Sequence, residues 1–319
     1  MSSFKNTVAL VGAFATSALA HGLVQNYTMD GVDVPGWNLN YYYQKVNGQT
    51  PPVIPAWSSE NLDNGFIDGT GYKTSDINCH KKAAPGGSYG KVAAGGEVVF
   101  KWTAWPESHV GPVLTYAAKC DGECTSADPA TLKWVKIDNA GYDESGKGWA
   151  AAELIKNNNE WPVTIPSNLA AGKYVLRHEI IAMHGAGSEN GAQNYPFCVN
   201  VEITGSGTEN PEGVLGTELY TPTDAGILFN PYTTITNYVP PGPALFGPGS
   251  GFGKQEAGAG SGSGSAPAPA PSTPTTPGNT TSPAVPSAAP TAAADEDDEG
   301  CASKAARRHA RDLYKHRRH

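Results

Sequence analysis

Through the middle of the chain, apolar and polar residues alternate with a period of two, the spacing of half-buried strands. Leu132, Trp134, Val135 and Ile137 stand against Lys133 and Lys136, and the stretch from Phe197 to Ile203 alternates in the same way. Glu97-Val98-Val99-Phe100-Lys101-Trp102 is rich in β-formers behind Gly95-Gly96, and a strand from Val113 to Ala118 follows Gly111-Pro112. Gly172 to Ala182 reads as one long strand, Trp161 to Ile165 as a short one, and His21 to Tyr27 as the first. A single helix is expected, from Ala150 to Asn157. Gly31 to Ile77 has no period; its Gly, Pro, Asn and Tyr content predicts long loops with short strands. Short strands divided by turn signals, without strand–helix–strand alternation, predict an all-β antiparallel sandwich and no parallel sheet.

The two ends have a different character. Residues 1–20 read as a secretory signal: Lys5 in a basic start, an apolar run from Val8 to Phe14, and the small-x-small site Ala18-Leu19-Ala20. Cleavage there makes His21 the first residue of a domain spanning 21–250, within which loops such as that of His109 are candidates for function. From 251 to 319, Gly-Ser-Ala repeats pass into Pro-Ser-Thr, then an acidic run from Asp295 to Glu299 and a basic end from Lys304 to Arg318. That composition predicts a disordered linker and tail. The 319 residues carry a formal net charge of -8, which argues against nucleic acid as a partner. After the signal no apolar run is long enough to span a bilayer, so a secreted, extracellular, soluble monomer with no membrane partner is expected.

Export also decides how the cysteines read. Cys79, Cys120, Cys124, Cys198 and Cys301 would meet an oxidising compartment. Cys120 and Cys124 flank a three-residue loop that suits a local bridge, leaving Cys79 with Cys198; of three possible pairings this ranks first. Cys301 is left over in the tail. Two glycosylation sequons occur, at Asn26 and at Asn279.

An N-terminal histidine can offer one metal both its free amine and its ring nitrogen. His109, in a loop that ends in Gly111-Pro112 before a strand, could add a third nitrogen. Such a nitrogen set suits copper, with the Tyr195 oxygen as a weak axial partner. His184 lies in a Gly-rich loop, and Gln193 with Tyr195, two apart in an extended segment, would face one way. His184 and Gln193 could hydrogen-bond an oxygen species at an open position; Tyr195 could equally be ordinary core. Other chemistries have less support: there is no GxSxG, no phosphate-binding Gly-rich loop, and no pairing of carboxylates. Glu179 alternates with Arg177 and His178, which suits a structural ion pair as well.

The ordered pieces His21-Gly22, Asn64-Gly65-Phe66, Asp76-Ile77-Asn78-Cys79-His80-Lys81 and Ser108-His109-Val110-Gly111-Pro112-Val113 resemble the fungal lytic polysaccharide monooxygenases of auxiliary activity family nine. The resemblance continues through Arg177-His178-Glu179, Gly191-Ala192-Gln193-Asn194-Tyr195-Pro196 and the segment from Tyr238 to Leu245. It implies an immunoglobulin/fibronectin-like sandwich whose flat face carries one copper held by His21 and His109, with Tyr195 axial and His184 and Gln193 beside it. It also implies the bridges Cys79–Cys198 and Cys120–Cys124. The substrate would be crystalline or amorphous cellulose or a related β-1,4-glucan, cleaved oxidatively at C1 and/or C4 with O2 or H2O2. The electron donor would be a small reductant or a cellobiose dehydrogenase-like partner. Tyr238 and Tyr43 are the expected sugar-stacking residues. Phe197 and Phe229-Asn230-Pro231-Tyr232 depart from the family pattern, which touches the substrate face more than the copper site. The alternative is a non-catalytic carbohydrate-binding or copper-binding sandwich.

Overall fold

A computed structural model describes residues 22–61 and 65–253. All of them belong to one compact unit. The signal, His21, Asn64, Asn279, Cys301 and the low-complexity tail lie outside the described residues.

The strands are β1 (Val24–Met29), β2 (Val32–Pro35), β3 (Gly90–Ala93), β4 (Glu97–Trp102), β5 (Val113–Lys119) and β6 (Lys133–Ala140). They continue with β7 (Tyr142–Asp143), β8 (Gly148–Trp149), β9 (Glu160–Thr164), β10 (Gly172–Ala182), β11 (Gln193–Thr204) and β12 (Val214–Leu215). Helices are α1 (Leu39–Val46), α2 (Asp76–Cys79) and α3 (Ala150–Lys156). One sheet has the order β2-β1-β4-β9 and the other β12-β6-β5-β10-β11-β3. The expected all-β sandwich is therefore present, and the strand over Gly172–Ala182 has the expected ends.

Two expectations fail. β3 pairs with β11 in parallel, from Gly90 opposite Val201 to Ala93 opposite Thr204. A parallel edge strand needs only a long return connection, which the chain from β4 to β10 supplies, so strand–helix alternation was not required. The second failure is α1, inside the stretch read as irregular. None of its eight residues is buried; its start is capped by the Asn38 side chain, which accepts from Tyr41 N at 3.1 Å.

The sandwich has two cores. Between the sheets, Tyr27, Phe100, Trp102, Trp161 and Val163 meet Leu176, Ile180, Tyr195 and Val199. On the outer face of the larger sheet, Leu114, Tyr116, Trp134, Val175 and Ile181 are covered by α2 and the segment around Leu219 to Tyr238. Strands β5, β10 and β11 are thus buried on both faces. That burial explains the charged residues within β10. Arg177 points to the outer core and makes a bidentate ion pair with Glu179, the structural pair allowed by the sequence. His178 points inward, stacked on Phe100 at 4.0 Å, its Nδ1 at 2.8 Å from Thr115 Oγ1; burial pulls its pKa well down and keeps it neutral.

The bridges Cys79–Cys198 and Cys120–Cys124 are both formed. Packing runs past residue 250, the boundary expected from composition. Ser250 N donates to the buried Asp138 carboxylate at 2.7 Å, and Phe252 is buried against Trp161.

Candidate metal centre

The loop before β5 places His109. Its own N–H donates to Pro106 O at 3.0 Å, and its carbonyl accepts the Trp105 indole N–H at 2.9 Å. Ser108 Oγ lies 3.1 Å from His109 Nδ1 and so engages that ring nitrogen. The chain then leaves through Gly111, where φ is +157° and a side chain would collide with the Ile181 carbonyl. Met183 N donates to Val110 O at 2.7 Å, so the residue before His184 is tied to the residue after His109.

His184 begins the turn that follows β10. Gly185 and Gly191 pass so closely that neither could carry a Cβ without meeting the other's backbone. The two imidazoles come together, ring centres 4.1 Å apart and tilted by 40°. Beside them, at the start of β11, Tyr195 donates its hydroxyl to Gln193 Oε1 at 2.8 Å. The period-two argument holds: the two side chains share a face. Trp105 is the wedge of the site, edge-on to His109 at 5.8 Å and to Tyr195 at 5.0 Å. Phe66 packs on the far side of Tyr195 at 6.1 Å.

The start of the described chain comes to the same place. Leu23 N donates to Thr103 Oγ1 at 3.1 Å, and Thr103 N donates to Leu23 O at 2.9 Å. A Cβ on Gly22 would lie 2.9 Å from the Trp105 ring. The residue after His21 is therefore packed on the indole that touches His109 and Tyr195.

Among the described residues no three His, Cys, Asp or Glu side chains form a metal-binding group. The expected ligands that are described, the His109 imidazole and the Tyr195 phenol, with every described cysteine in a disulfide, suit copper rather than a thiolate-loving ion. No helix among them is long and apolar enough to cross a membrane.

Residues 21–238 match the model of Auxiliary Activity family 9, formerly glycoside hydrolase family 61. The chain belongs to this family. Lytic polysaccharide monooxygenase D of Botryotinia fuckeliana is 51% identical over 234 residues, 73% of this chain and 95% of that relative. The family 9 monooxygenase cel61B of Hypocrea jecorina is 51% identical over 242 residues, 75% of this chain and 97% of its own. The solved structure of H. jecorina Cel61B superposes with a TM-score of 0.69 at 52% identity, covering 71% of this chain and 100% of that one. The extended catalytic domain of H. jecorina LPMO9A gives 0.68 at 42% identity, covering 76% and 96%. Family 9 members are copper-dependent lytic polysaccharide monooxygenases, so this chain is an oxidoreductase that acts on polysaccharide.

Against the family's site the expected residues fall into two groups. His109, His184, Gln193 and Tyr195 are together. Tyr238 is not on a sugar-binding face. It is 5% exposed, packed on Trp149 and Phe229, with its hydroxyl donated to Gly226 O at 2.8 Å. Burial raises its pKa far above the ordinary tyrosine value. Tyr43 is exposed on α1 with its ring edge against Tyr42, and makes no hydrogen bond or ring contact to the site residues. Asn26 is half-buried in β1, between β2 and β4.

The aromatic that sequence reading missed is Tyr232. It is 74% exposed, and its hydroxyl donates to His184 O at 3.3 Å, so the side chain reaches the backbone of the His184 turn. A signal was available: Asn230-Pro231 just ahead of it is a turn pair, and the Asn230 side chain does accept from Tyr232 N at 3.0 Å. Trp105, four residues before His109 in the same loop, could have been read as its packing partner.

Proposed function

We propose that the mature chain is secreted and starts at His21, holds one copper, and cleaves cellulose or a related β-1,4-glucan oxidatively at C1 and/or C4. The convergence of the His109 and His184 rings with the Tyr195–Gln193 pair carries this reading. The amine and ring nitrogen of His21 and the Nε2 of His109 would hold the metal, the Tyr195 oxygen adding a weak contact. Packing of Gly22 against Trp105 supports the placement of His21 at this site. Bound there, copper supplies the electron transfer by which O2 or H2O2 oxidises a sugar C–H bond.

The protein's own groups do the rest. Ser108 holds the His109 ring by its other nitrogen. Gln193 Oε1 accepts a hydrogen bond from the Tyr195 hydroxyl, which orients the phenol. His184, half-buried against His109, would be within reach to hand a proton to the oxidant or the substrate. Tyr232 offers its exposed ring to a sugar face and so sets the chain of the glucan over the site. Tyr43 would extend that contact. Asn26 and Asn279 remain the proposed glycan sites, and a small reductant or a cellobiose dehydrogenase-like protein the proposed electron donor.

The experiment is mass spectrometry of soluble products from cellulose with and without ascorbate, and with a copper chelator. Aldonic acids or C4-ketones that need reductant and vanish with chelator are expected. Hydrolytic sugars formed without reductant and resistant to chelator would sink the proposal.

A further inference from the structure

On its outer side β11 is covered by β3 only from Val201 to Thr204. At the other end, where Gln193 and Tyr195 stand, that side has single bridges to Ala56 and Ile67 in place of a strand. A strand end with an open edge is the kind that frays. Asn194, between the two site residues, points to the opposite face and is fully buried. Its backbone N–H donates to Ile67 O at 2.8 Å and its carbonyl accepts from Ile67 N at 2.9 Å. Its side-chain oxygen accepts from Tyr72 at 2.7 Å, and its Nδ2 donates to Glu179 Oε2 at 2.9 Å. Glu179 also accepts from Arg177 and Tyr220, and Arg177 in turn donates to the Ile77 and Asn78 carbonyls of α2. Both neighbours of Asn194 in the chain are thus held from behind by a satisfied, fully buried network.

We propose that Asn194 is the positioning residue of the Gln193–Tyr195 pair: its amide, clamped by Glu179 and Tyr72 behind the single Ile67 bridge, fixes where those two side chains stand. The proposal rests on reading Gln193 and Tyr195 as copper-site residues, but the clamp acts in the metal-free protein. Strand β11 provides its own control. Asn200 is also fully buried, accepting from Trp57 Nε1 at 2.7 Å and donating to Gly86 O at 2.9 Å, but it lies five residues beyond Tyr195. Losing either amide strands buried polar partners; only the loss of Asn194 should move the site.

The test uses the metal-free mature chain labelled with carbon-13 at the tyrosine hydroxyl carbon, Tyr195→Phe assigning the signal. Trp105, edge-on at 5.0 Å, makes that signal sensitive to small displacements of the ring. Asn194→Ala should shift it by several linewidths and lower the melting temperature. Asn200→Ala should lower the melting temperature comparably and leave the signal in place. Tyr72→Phe removes one of the clamp's hydrogen bonds; it should move the signal the same way by less, and decides the matter if Asn194→Ala does not fold. A signal unmoved in the folded Asn194 and Tyr72 variants, or moved equally by Asn200→Ala, overturns the proposal. Cu(II) titration of the unaltered chain runs alongside. A moved signal in a chain that binds no copper upholds the clamp and defeats the copper-site reading instead.

Discussion

The Tyr195 hydroxyl and the Gln193 side chain, two residues apart on β11, are joined by a 2.8 Å hydrogen bond in which the phenol is the donor. Tyr195→Phe removes it and leaves the Gln193 oxygen without that donor. A stability loss of about 1 kcal/mol is expected. Copper affinity should persist, because the phenol is a weak ligand, while the reduction potential and the Cu(II) resonance spectrum change. Unaltered spectra would show that the phenol oxygen does not meet the metal.

Copper should bind tightly only when His21 is the first residue. A free α-amine, with a pKa of roughly 7.7–8.0 in model peptides, can lose its proton to a metal. An amide nitrogen is a far poorer donor. Adding one alanine ahead of His21 should weaken Cu(II) binding on the order of a hundredfold or more, about 3 kcal/mol. Calorimetric titration of the His21-first protein, the alanine-extended protein and His109→Ala checks this. Equal affinity of the first two would exclude the amine as a ligand.

Tyr232 and Tyr238 should separate cleanly. Tyr232→Ala removes an exposed ring and should weaken cellulose binding by about 1 kcal/mol, with melting temperature and copper affinity unchanged. Tyr238→Ala empties a buried site beside Trp149 and Phe229 and should cost about 3–5 kcal/mol of stability. Pull-down on cellulose and urea denaturation distinguish them; a binding defect confined to the Tyr238 variant would reverse the assignment.

Lys136 predicts a pH dependence. Its buried ammonium donates to Asn139 Oδ1 at 3.1 Å and Pro241 O at 2.7 Å, and burial pulls its pKa down from 10.5 to about 7. Between those values the unfolded chain binds more protons than the folded one, so this group makes stability rise with pH across that window. Below the folded value both states are protonated and its contribution is flat. Lys136→Met should be flatter than the unaltered chain from pH 7 to 9.5 in denaturant titrations, the divergence being on the order of a few kcal/mol. Parallel curves would mean that Lys136 keeps its proton throughout.

The sequence by itself determined the strands and the chemistry that short spacing controls. The long strand over Gly172–Ala182, the Cys120–Cys124 bridge and the shared face of Gln193 and Tyr195 follow from local period and loop length. His109, in its loop before Gly111-Pro112, was legible as a candidate for the same reason. What only the tertiary structure decided is which surfaces are covered. Both faces of β10 are buried, so Arg177 and Glu179 became a core ion pair, although alternation alone could have left them in solvent. The parallel pairing of β3 with β11 and the packing of Phe252 have no local period to announce them. Two tyrosines six residues apart show the reason most plainly. The Asn230-Pro231 turn pair marks the chain ahead of Tyr232, but nothing local says which of the two rings is exposed. One is tethered to the His184 carbonyl with its ring in solvent, and the other is sealed between Trp149 and Phe229. Exposure depends on what distant chain packs above a residue, and that is a property of the fold.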